Sequence, residues 1–222
     1  MLLDHIGAVF LTGSGETERI LFFIFRLLFG RAAFPIFCFL LIEGAYHTSN
    51  RPRYLLRLTG FAILSEIPFD LAMYGLPLEF SHQNVFSTLA IGLLTILASQ
   101  VVSQKLRKKR RPLQALLSLL PIAIGMVSAQ FLKTDYGALG ILVIAILFFS
   151  RRNRDAQLWA GSTVLVIGGI LMLRTMDELL APIGLILCRF YNGTRGLKLK
   201  YSFYAFYPLH LLLLWILRII IA

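Results

Sequence analysis

The chain has 222 residues, of which 58% are hydrophobic and 15% are charged, and its mean hydropathy is +0.77. This composition excludes an ordinary soluble enzyme and predicts a single integral membrane domain over residues 1–222, with the lipid bilayer as its first partner. The net charge of +11 could suggest nucleic acid. Because Lys and Arg lie in short turns between hydrophobic runs, however, we expect no nucleic-acid binding.

Four basic clusters alternate with connections that are poor in Lys and Arg, the pattern that the positive-inside rule gives to cytoplasmic loops. The clusters are Arg51, Arg53 and Arg57; residues 105–111; Arg151, Arg152 and Arg154; and Arg195, Lys198 and Lys200. They predict an all-α, polytopic transmembrane helix bundle of about nine membrane segments, with the C-terminus outside. In chain order the predicted segments are residues 1–11, 30–47, 54–74, 84–103, 113–132, 136–150, 156–173, 179–191 and 201–222.

The first, sixth and eighth segments are shorter than the roughly 20 residues of a full span, so we expect broken or re-entrant helices, or helices covered by neighbours. Residues 20–29 are apolar but short and carry Arg26, which predicts a helix lying in the outer interface. No basic region precedes the first apolar run, so a cleaved signal peptide is not expected. Cys38 and Cys188 lie inside apolar runs and are expected to be free thiols.

The last segment carries a histidine, His210, about nine residues or roughly 13 Å beyond its cytoplasmic start. A titratable group near the midplane of a membrane is costly, so it marks a candidate functional site. Tyr207 precedes His210 by one helical turn. Pro208 lacks an N–H group and so frees the carbonyl group of Tyr204. We therefore expect a locally opened helix lined by hydroxyl groups.

A second histidine, His5, lies about 10 Å below the outer boundary of the first segment. The two histidines could therefore meet at mid-depth. Asp4 is adjacent in sequence but points about 100° away on a helix, so its expected partner is an Arg or a polar group on another helix. A structural hydrogen bond between helices is the alternative interpretation of either histidine.

Two carboxylates of the third segment, Glu66 and Asp70, lie four residues apart on one face with a proline between them. A single cation could bridge both, and Arg31, at the outer end of the second segment, is the candidate. Glu43 and His47 share a face near the cytoplasm. All of these groups could instead form structural ion pairs that hold the bundle together.

Three connections have distinctive compositions. Asn84 and Asp135 are candidate N-caps of the helices that follow them. Residues 192–196, Asn-Gly-Thr-Arg-Gly, combine two glycines with nearby basic residues, and backbone N–H groups in such a loop could cradle phosphate groups.

Seven motifs, in a consistent order over most of the chain, resemble the TraX family. They are MLLDHIG from residue 1, GRAAFPIFCFLLIEG from 30, YLLRLTGFAILSEIPFD from 54, NVFSTLAIG from 84, DYG from 135, YNGTRG from 191 and KYSFYAFYPLH from 200. The resemblance implies a multi-pass protein of the bacterial cytoplasmic (inner) membrane. It also implies acetyl transfer from cytoplasmic acetyl-CoA, as co-substrate and without a metal, to an acceptor such as a pilin N-terminus.

The resemblance gives the polar residues expected roles. The expected catalytic groups are His210 as base or acyl carrier, His5 with Asp4 as its partner, and Tyr204 or Tyr207 as donors to the oxyanion. The expected acetyl-CoA ligands are Asn192, Arg195, Lys198 and Lys200. The expected residues of the outer, acceptor side are Arg31, Glu66, Asp70, Asn84 and Asp135.

Several alternatives stay open at this point. The acceptor could be a peptide or a small molecule, and its nucleophile an amine or a hydroxyl group. A proton- or ion-coupled membrane transporter could use the same buried His, Asp and Glu residues, and a scaffold for a membrane assembly is a third class. The basic loops could bind anionic lipid in place of CoA.

Overall fold

The computed structural model describes residues 1–11, 15–108, 110–194 and 200–221, and these ranges fold into α-helices without a β-strand. The helices are α1 (Leu2–Phe10), α2 (Glu16–Ile24), α3 (Arg31–His47), α4 (Arg51–Tyr74), α5 (Val85–Lys105), α6 (Arg111–Phe131), α7 (Gly137–Ser150), α8 (Arg154–Gly168), α9 (Pro182–Arg189) and α10 (Lys200–Ile221). Wide π-helical turns follow α2 (Phe25–Gly30) and α8 (Gly169–Leu173), and a 3₁₀ turn (Asp177–Leu180) precedes α9. The predicted all-α polytopic bundle is confirmed.

Within the described ranges, five helices are long and apolar enough to cross a membrane: Glu16–His47, Val85–Lys105, Arg111–Phe131, Arg154–Leu173 and Tyr201–Ile221. Helix α4 has 24 residues, enough length for a span, but it carries Arg57, Glu66 and Asp70. Helices α1, α7 and α9 have 9, 14 and 8 residues. The expectation of short segments at these three places is therefore confirmed.

The prediction of a separate interfacial helix at residues 20–29 is wrong. Helices α2 and α3 join through the π-helical turn Phe25–Gly30 into one continuous helix of 32 residues, Glu16–His47. The residue that suggested a surface position, Arg26, is instead neutralised by Asp177, with Nε and Oδ2 3.0 Å apart. This partner lies after the seventh predicted segment, far from Arg26 in the chain, so no local pattern indicated the pair.

Helix α7 forms the centre of the bundle. Many of its apolar side chains, including Leu139, Ile141 and Ile144, are fully buried because α3, α5, α6 and α8 pack around it. The close approach depends on Gly140, since a Cβ atom there would lie against Thr88 and Phe34. A helix of 14 residues rises only about 21 Å, so neighbouring helices complete its cover, as the sequence predicted.

The first and third basic clusters meet at one end of the bundle, here called the basic end, where Arg57 and Glu43 line one cavity and Arg151 and Arg154 pair with Glu43. The Glu43 carboxylate there pairs with Arg154 at 3.2 Å and Arg151 at 3.7 Å, and it lies 3.5 Å from Nε2 of His47. The predicted contact of Glu43 with His47 is thus confirmed, and the structure adds Arg151 and Arg154 to it. By the positive-inside rule we expect the basic end to face the cytoplasm.

Asn84 fixes the start of α5 against α4. Its side chain accepts a hydrogen bond from the N–H group of Phe86, donates one to the carbonyl of Ala62 at 2.8 Å, and donates a second to Glu66. The predicted N-cap at Asn84 is confirmed. The predicted N-cap at Asp135 is wrong, because α7 begins at Gly137 and no side chain caps it.

We expect Asn84→Ala to lower the free energy of unfolding by about 2–4 kcal/mol, because it removes both a cap and a cross-helix link to buried groups. Asn153→Ala is the matched control. Asn153 caps α8 through the N–H groups of residues 155 and 156 alone, so its loss should cost about 1 kcal/mol. Thermal unfolding in detergent measures both, and equal shifts in the two variants would contradict the cross-helix role of Asn84.

Candidate functional site

The two midplane histidines are joined by a hydrogen bond. Nδ1 of His5, on α1, lies 2.7 Å from Nε2 of His210, on α10, and the two rings are nearly parallel with centroids 5.0 Å apart. Nδ1 of His210 lies 2.7 Å from the carbonyl oxygen of Phe206 one turn earlier. The predicted meeting of the histidines is confirmed.

The hydrogen bonds assign the protons of this pair. A carbonyl oxygen only accepts, so Nδ1 of His210 carries a hydrogen and donates it to Phe206. In neutral His210, Nε2 then has a free lone pair and accepts from Nδ1–H of His5. Neutral His5 is left with a bare Nε2, which is the basic atom of the pair.

A cavity of about 590 Å³ borders this pair on the side opposite the basic end; we call it the histidine chamber. Its lining includes Asp4, His5, Arg31, Asp135 and Tyr207. His210 does not line it and is only 5% exposed. Sequence reasoning put His210 at the reacting atoms, whereas the chamber is reached by His5, with His210 behind it.

Tyr207 stands beside both histidines at the chamber floor. Its ring lies edge-on to His5 at 5.8 Å and to His210 at 5.6 Å, and its hydroxyl group lies near the backbone N–H of Val85 at the start of α5. The phenolic hydrogen remains able to donate to an oxygen in the chamber. Tyr204, one turn away, stacks against Phe86 and Phe61, so the tyrosines are part of an aromatic wall.

A second cavity, of about 650 Å³, lies on the other side of this wall; we call it the basic-end chamber. Its lining includes His47, Tyr54, Arg57, Thr194 and Tyr204. Tyr204 borders the basic-end chamber and Tyr207 borders the histidine chamber. One turn of α10 therefore separates two cavities that reach toward opposite ends of the bundle.

The prediction that Arg31 bridges Glu66 and Asp70 is wrong. Arg31 donates to Glu178 at 2.8 Å and to the Tyr136 hydroxyl at 3.4 Å, and it lies 3.5 Å from Asp177. The reason is packing: α3 contacts α7, α9 and the 3₁₀ turn, while α4 packs between α5 and α10.

The two carboxylates on α4 find hydrogen-bond donors instead of a cation. Glu66 is held by Asn84, and Asp70 accepts the backbone N–H of Glu79 at 2.8 Å. Glu66, Asp70 and Asn84 are absent from the lining of the histidine chamber. Their contacts identify them as structural residues that hold α4, α5 and the intervening loop together.

Sequence reasoning missed Glu178, which is 1% exposed and pairs with Arg31. An acidic pair at a segment boundary ordinarily indicates a solvated turn, so Asp177 and Glu178 gave no sign of burial. Partial burial would raise the pKa of Asp177, but the hydrogen bond and charge of Arg26 outweigh it and lower the pKa below its usual value.

Asp135 lines the histidine chamber from the turn before α7. Its side chain is accessible from the chamber, yet protein surrounds it. The resulting loss of hydration raises the pKa of Asp135 to about 6, although the charge of Arg31 opposes the rise. On the opposite wall, the Asp4 carboxylate lies against Gly30, where a Cβ atom would collide with it.

The predicted CoA loop is described only in part. The side-chain oxygen of Asn192 accepts from the N–H and hydroxyl groups of Thr194, at 3.0 and 2.7 Å, which closes a local turn. Arg195 and Lys198 lie outside the described residues, and so does the side chain of Lys200.

The bundle, with a buried histidine pair between two cavities, defines a polytopic membrane protein with a polar site at mid-depth. The chain belongs to the TraX family, because the family model described as TraX protein matches residues 1–218. It is also 29% identical over 235 residues to the probable fimbrial assembly protein FimC, serogroup H1, of Dichelobacter nodosus, covering 96% of this chain and 89% of that protein. No solved structure matches the chain.

We expect Arg31→Met to destabilise the protein by about 3–5 kcal/mol, because it leaves the Glu178 charge buried without its partner. The double variant Arg31→Met/Glu178→Met removes both charges and should recover most of that loss. Thermal unfolding of the two single variants and the double variant forms the test. A double variant as unstable as the sum of the single variants would show that the pair is not coupled.

The proton assignment predicts a specific tautomer for each histidine. In a His47→Gln/His82→Gln background labelled with ¹⁵N-histidine, Nδ1 of both His5 and His210 should be protonated near neutral pH, and Nε2 of both should be bare. Nitrogen chemical shifts distinguish the two forms directly. A hydrogen on Nε2 of neutral His5 would reverse the direction of the bond between the rings.

Proposed function

We propose that this protein is an integral membrane acetyltransferase that moves an acetyl group from acetyl-CoA to an amine. The observation that carries the proposal is the His5–His210 hydrogen bond at the floor of the histidine chamber, one helical turn from the basic-end chamber. A bare imidazole nitrogen facing a cavity is a suitable general base. The cavity on the other side of the wall can admit a cytoplasmic thioester.

In the proposed reaction the amine enters the histidine chamber and loses a proton to Nε2 of His5 as it attacks the thioester carbon. Nδ1–H of His5 passes its hydrogen to Nε2 of His210, and the positive charge is then stabilised by the Phe206 carbonyl. The carbon–sulfur bond breaks and CoA leaves as the thiolate. The proton released by nitrogen balances the thiolate charge, and the products are the amide and CoA.

Tyr207 is the proposed donor to the oxyanion of the tetrahedral intermediate. The Tyr207 ring lies beside His5 and lines the histidine chamber, so its phenolic hydrogen can be donated to an oxygen on which charge develops. His210 acts through His5 and is therefore a positioning residue and proton acceptor.

Asp4 and Asp135 line the part of the histidine chamber that would receive the acceptor amine. Arg31 and Arg26 also line the histidine chamber, but they are paired with Glu178 and Asp177. The carboxylates of Asp4 and Asp135 attract an amine in its ammonium form, which first releases one proton to solvent and then attacks as the neutral amine. FimC carries the name of a fimbrial assembly protein, which supports a pilin-like N-terminal amine at the surface of the inner membrane as the acceptor.

A proton-coupled transporter is the second candidate. Two cavities that reach toward opposite ends of the bundle and meet at a thin wall also suit alternating access. In that case His5 and His210 would carry a coupling proton, and no thioester would be consumed.

Release of free CoA from acetyl-CoA tests the proposal. We expect purified wild-type protein to release CoA in the presence of a peptide with a free N-terminal alanine. His5→Ala should lower the rate by about 10²- to 10⁴-fold through loss of the base. His210→Ala should lower the rate of CoA release less than His5→Ala does, and it should shift the pH profile of that rate. Nε2 of His5 is still present in this variant, but the His5 ring has lost the hydrogen bond that orients it.

His82→Ala is the matched control, since His82 lines the same chamber without joining the pair. It should release CoA at nearly the wild-type rate, and all variants should still bind acetyl-CoA. Absence of CoA release by wild type with peptide, amine and hydroxyl acceptors would reject the acetyltransferase and favour the transporter. Equal losses in the His82 and His5 variants would reject the role of the pair.

A further inference from the structure

Arg57 is a cation placed inside the basic-end chamber. It lies on α4, about two turns after the helix begins, and lines the cavity together with Tyr54 and Tyr204. Its guanidinium carbon lies 5.8 Å from the centre of the Tyr54 ring, and its side chain lies near the Tyr204 hydroxyl group. Arg57 thus stands at the wall between the two chambers.

No carboxylate of the described residues neutralises this cation. Within the described ranges Arg57 has no acidic group within ion-pair distance, and residues 12–14, 109 and 195–199 contain no Asp or Glu. The acidic residue in the lining of the chamber is Glu43, and it already pairs with Arg151, Arg154 and His47. In contrast, Arg26 and Arg31 in the histidine chamber each have an acidic partner.

An unpaired charge at this depth needs a counter-ion. The Nε atom of Arg57 is buried and has no hydrogen-bond partner, which leaves part of its donor capacity unused. A buried donor without a partner is unfavourable, and an arginine in the membrane ordinarily pairs with another group. The arrangement therefore has the chemistry of an anion site whose ligand comes from outside the chain.

We infer that Arg57 binds a phosphate group of a ligand that enters the basic-end chamber. The planar guanidinium fork matches phosphate oxygens in a bidentate manner. Hydroxyl groups of Thr48, Ser49 and Thr194 line the same cavity and can donate to the remaining oxygens. This assignment adds Arg57, at the floor of the chamber, to the loop at 192–200 that the sequence predicts as the phosphate site.

The inference rests on the proposed function in naming CoA as the first source of the phosphate. Tyr204, at the level of Arg57, precedes His210 by six residues, a rise of about 9 Å on a helix. The pantetheine arm of CoA, with its two amide units, is longer than this rise. A diphosphate held by Arg57 would therefore allow the thioester to cross the aromatic wall and reach His5.

An anionic lipid headgroup is the other source of the same chemistry, because the chamber opens at the basic end, where such headgroups gather. The test distinguishes the two. CoA and inorganic pyrophosphate are titrated into wild type and into Arg57→Gln, Arg57→Lys and Arg53→Gln variants, all in phosphatidylcholine nanodiscs. Bound phosphatidylglycerol is counted by native mass spectrometry in a parallel set.

If CoA supplies the phosphate, Arg57→Gln should weaken CoA and pyrophosphate binding by about ten- to a hundredfold, the range for a charged hydrogen-bonded pair. Arg57→Lys should bind CoA and pyrophosphate with an affinity between those of wild type and Arg57→Gln, because it keeps the positive charge but loses the planar guanidinium group. Arg53→Gln is the matched control, an exposed arginine one turn earlier on the same helix, and should change binding by less than about twofold. Thermal unfolding verifies that each variant is folded.

If a lipid supplies the phosphate, Arg57→Gln should lose one bound phosphatidylglycerol and leave CoA binding unchanged. That outcome would keep the phosphate site and count against CoA in this chamber, and so against the proposed function. The inference is overturned if Arg57→Gln binds CoA, pyrophosphate and phosphatidylglycerol as wild type does. It is equally overturned if wild type binds none of the three, or if Arg53→Gln loses as much as Arg57→Gln.

Discussion

The hydrogen bond between His5 and His210 ties the first helix of the bundle to the last. Helix α1 has nine residues and is too short to cross a bilayer by itself, so its position depends on what it contacts. A ring nitrogen in this setting has few partners besides another polar side chain. The pair therefore satisfies two buried groups, fixes α1 against α10, and orients one basic nitrogen toward a cavity.

Because little water reaches the interior of a membrane protein, the other polar groups of the bundle also need partners within the chain. Glu43 contacts Arg151, Arg154 and His47, Arg31 pairs with Glu178, and Asn84 holds Glu66. These contacts join neighbouring helices within the bundle. Among the described residues, Asp135 and Arg57 have no ion-pair partner, and each lines one of the two cavities. In this molecule a charged group that pairs with a neighbouring helix is structural, and one that has no ion-pair partner and faces a cavity is a candidate ligand.

The sequence predicted features that depend on depth and spacing along one segment. The meeting of His5 with His210 followed from counting residues to the midplane, and the Glu43–His47 pair from a four-residue spacing. Features that depend on which helices become neighbours could not be predicted from the sequence. Arg31 was assigned to α4 because the depths agreed, but its partner Glu178 comes from a turn about 150 residues later in the chain, and no local pattern marks that turn as buried.

The wide turn Phe25–Gly30 changes which side chains of the helix Glu16–His47 point in the same direction. On a regular α-helix two residues five apart point about 140° away from each other, yet Arg26 and Arg31 both reach Asp177. A π-helical turn brings the fifth residue back over the first. Side chains after the turn are therefore rotated relative to the positions that a regular α-helix would give them. A helical period of 3.6 residues applied to the whole helix would place the residues of one half on the wrong face.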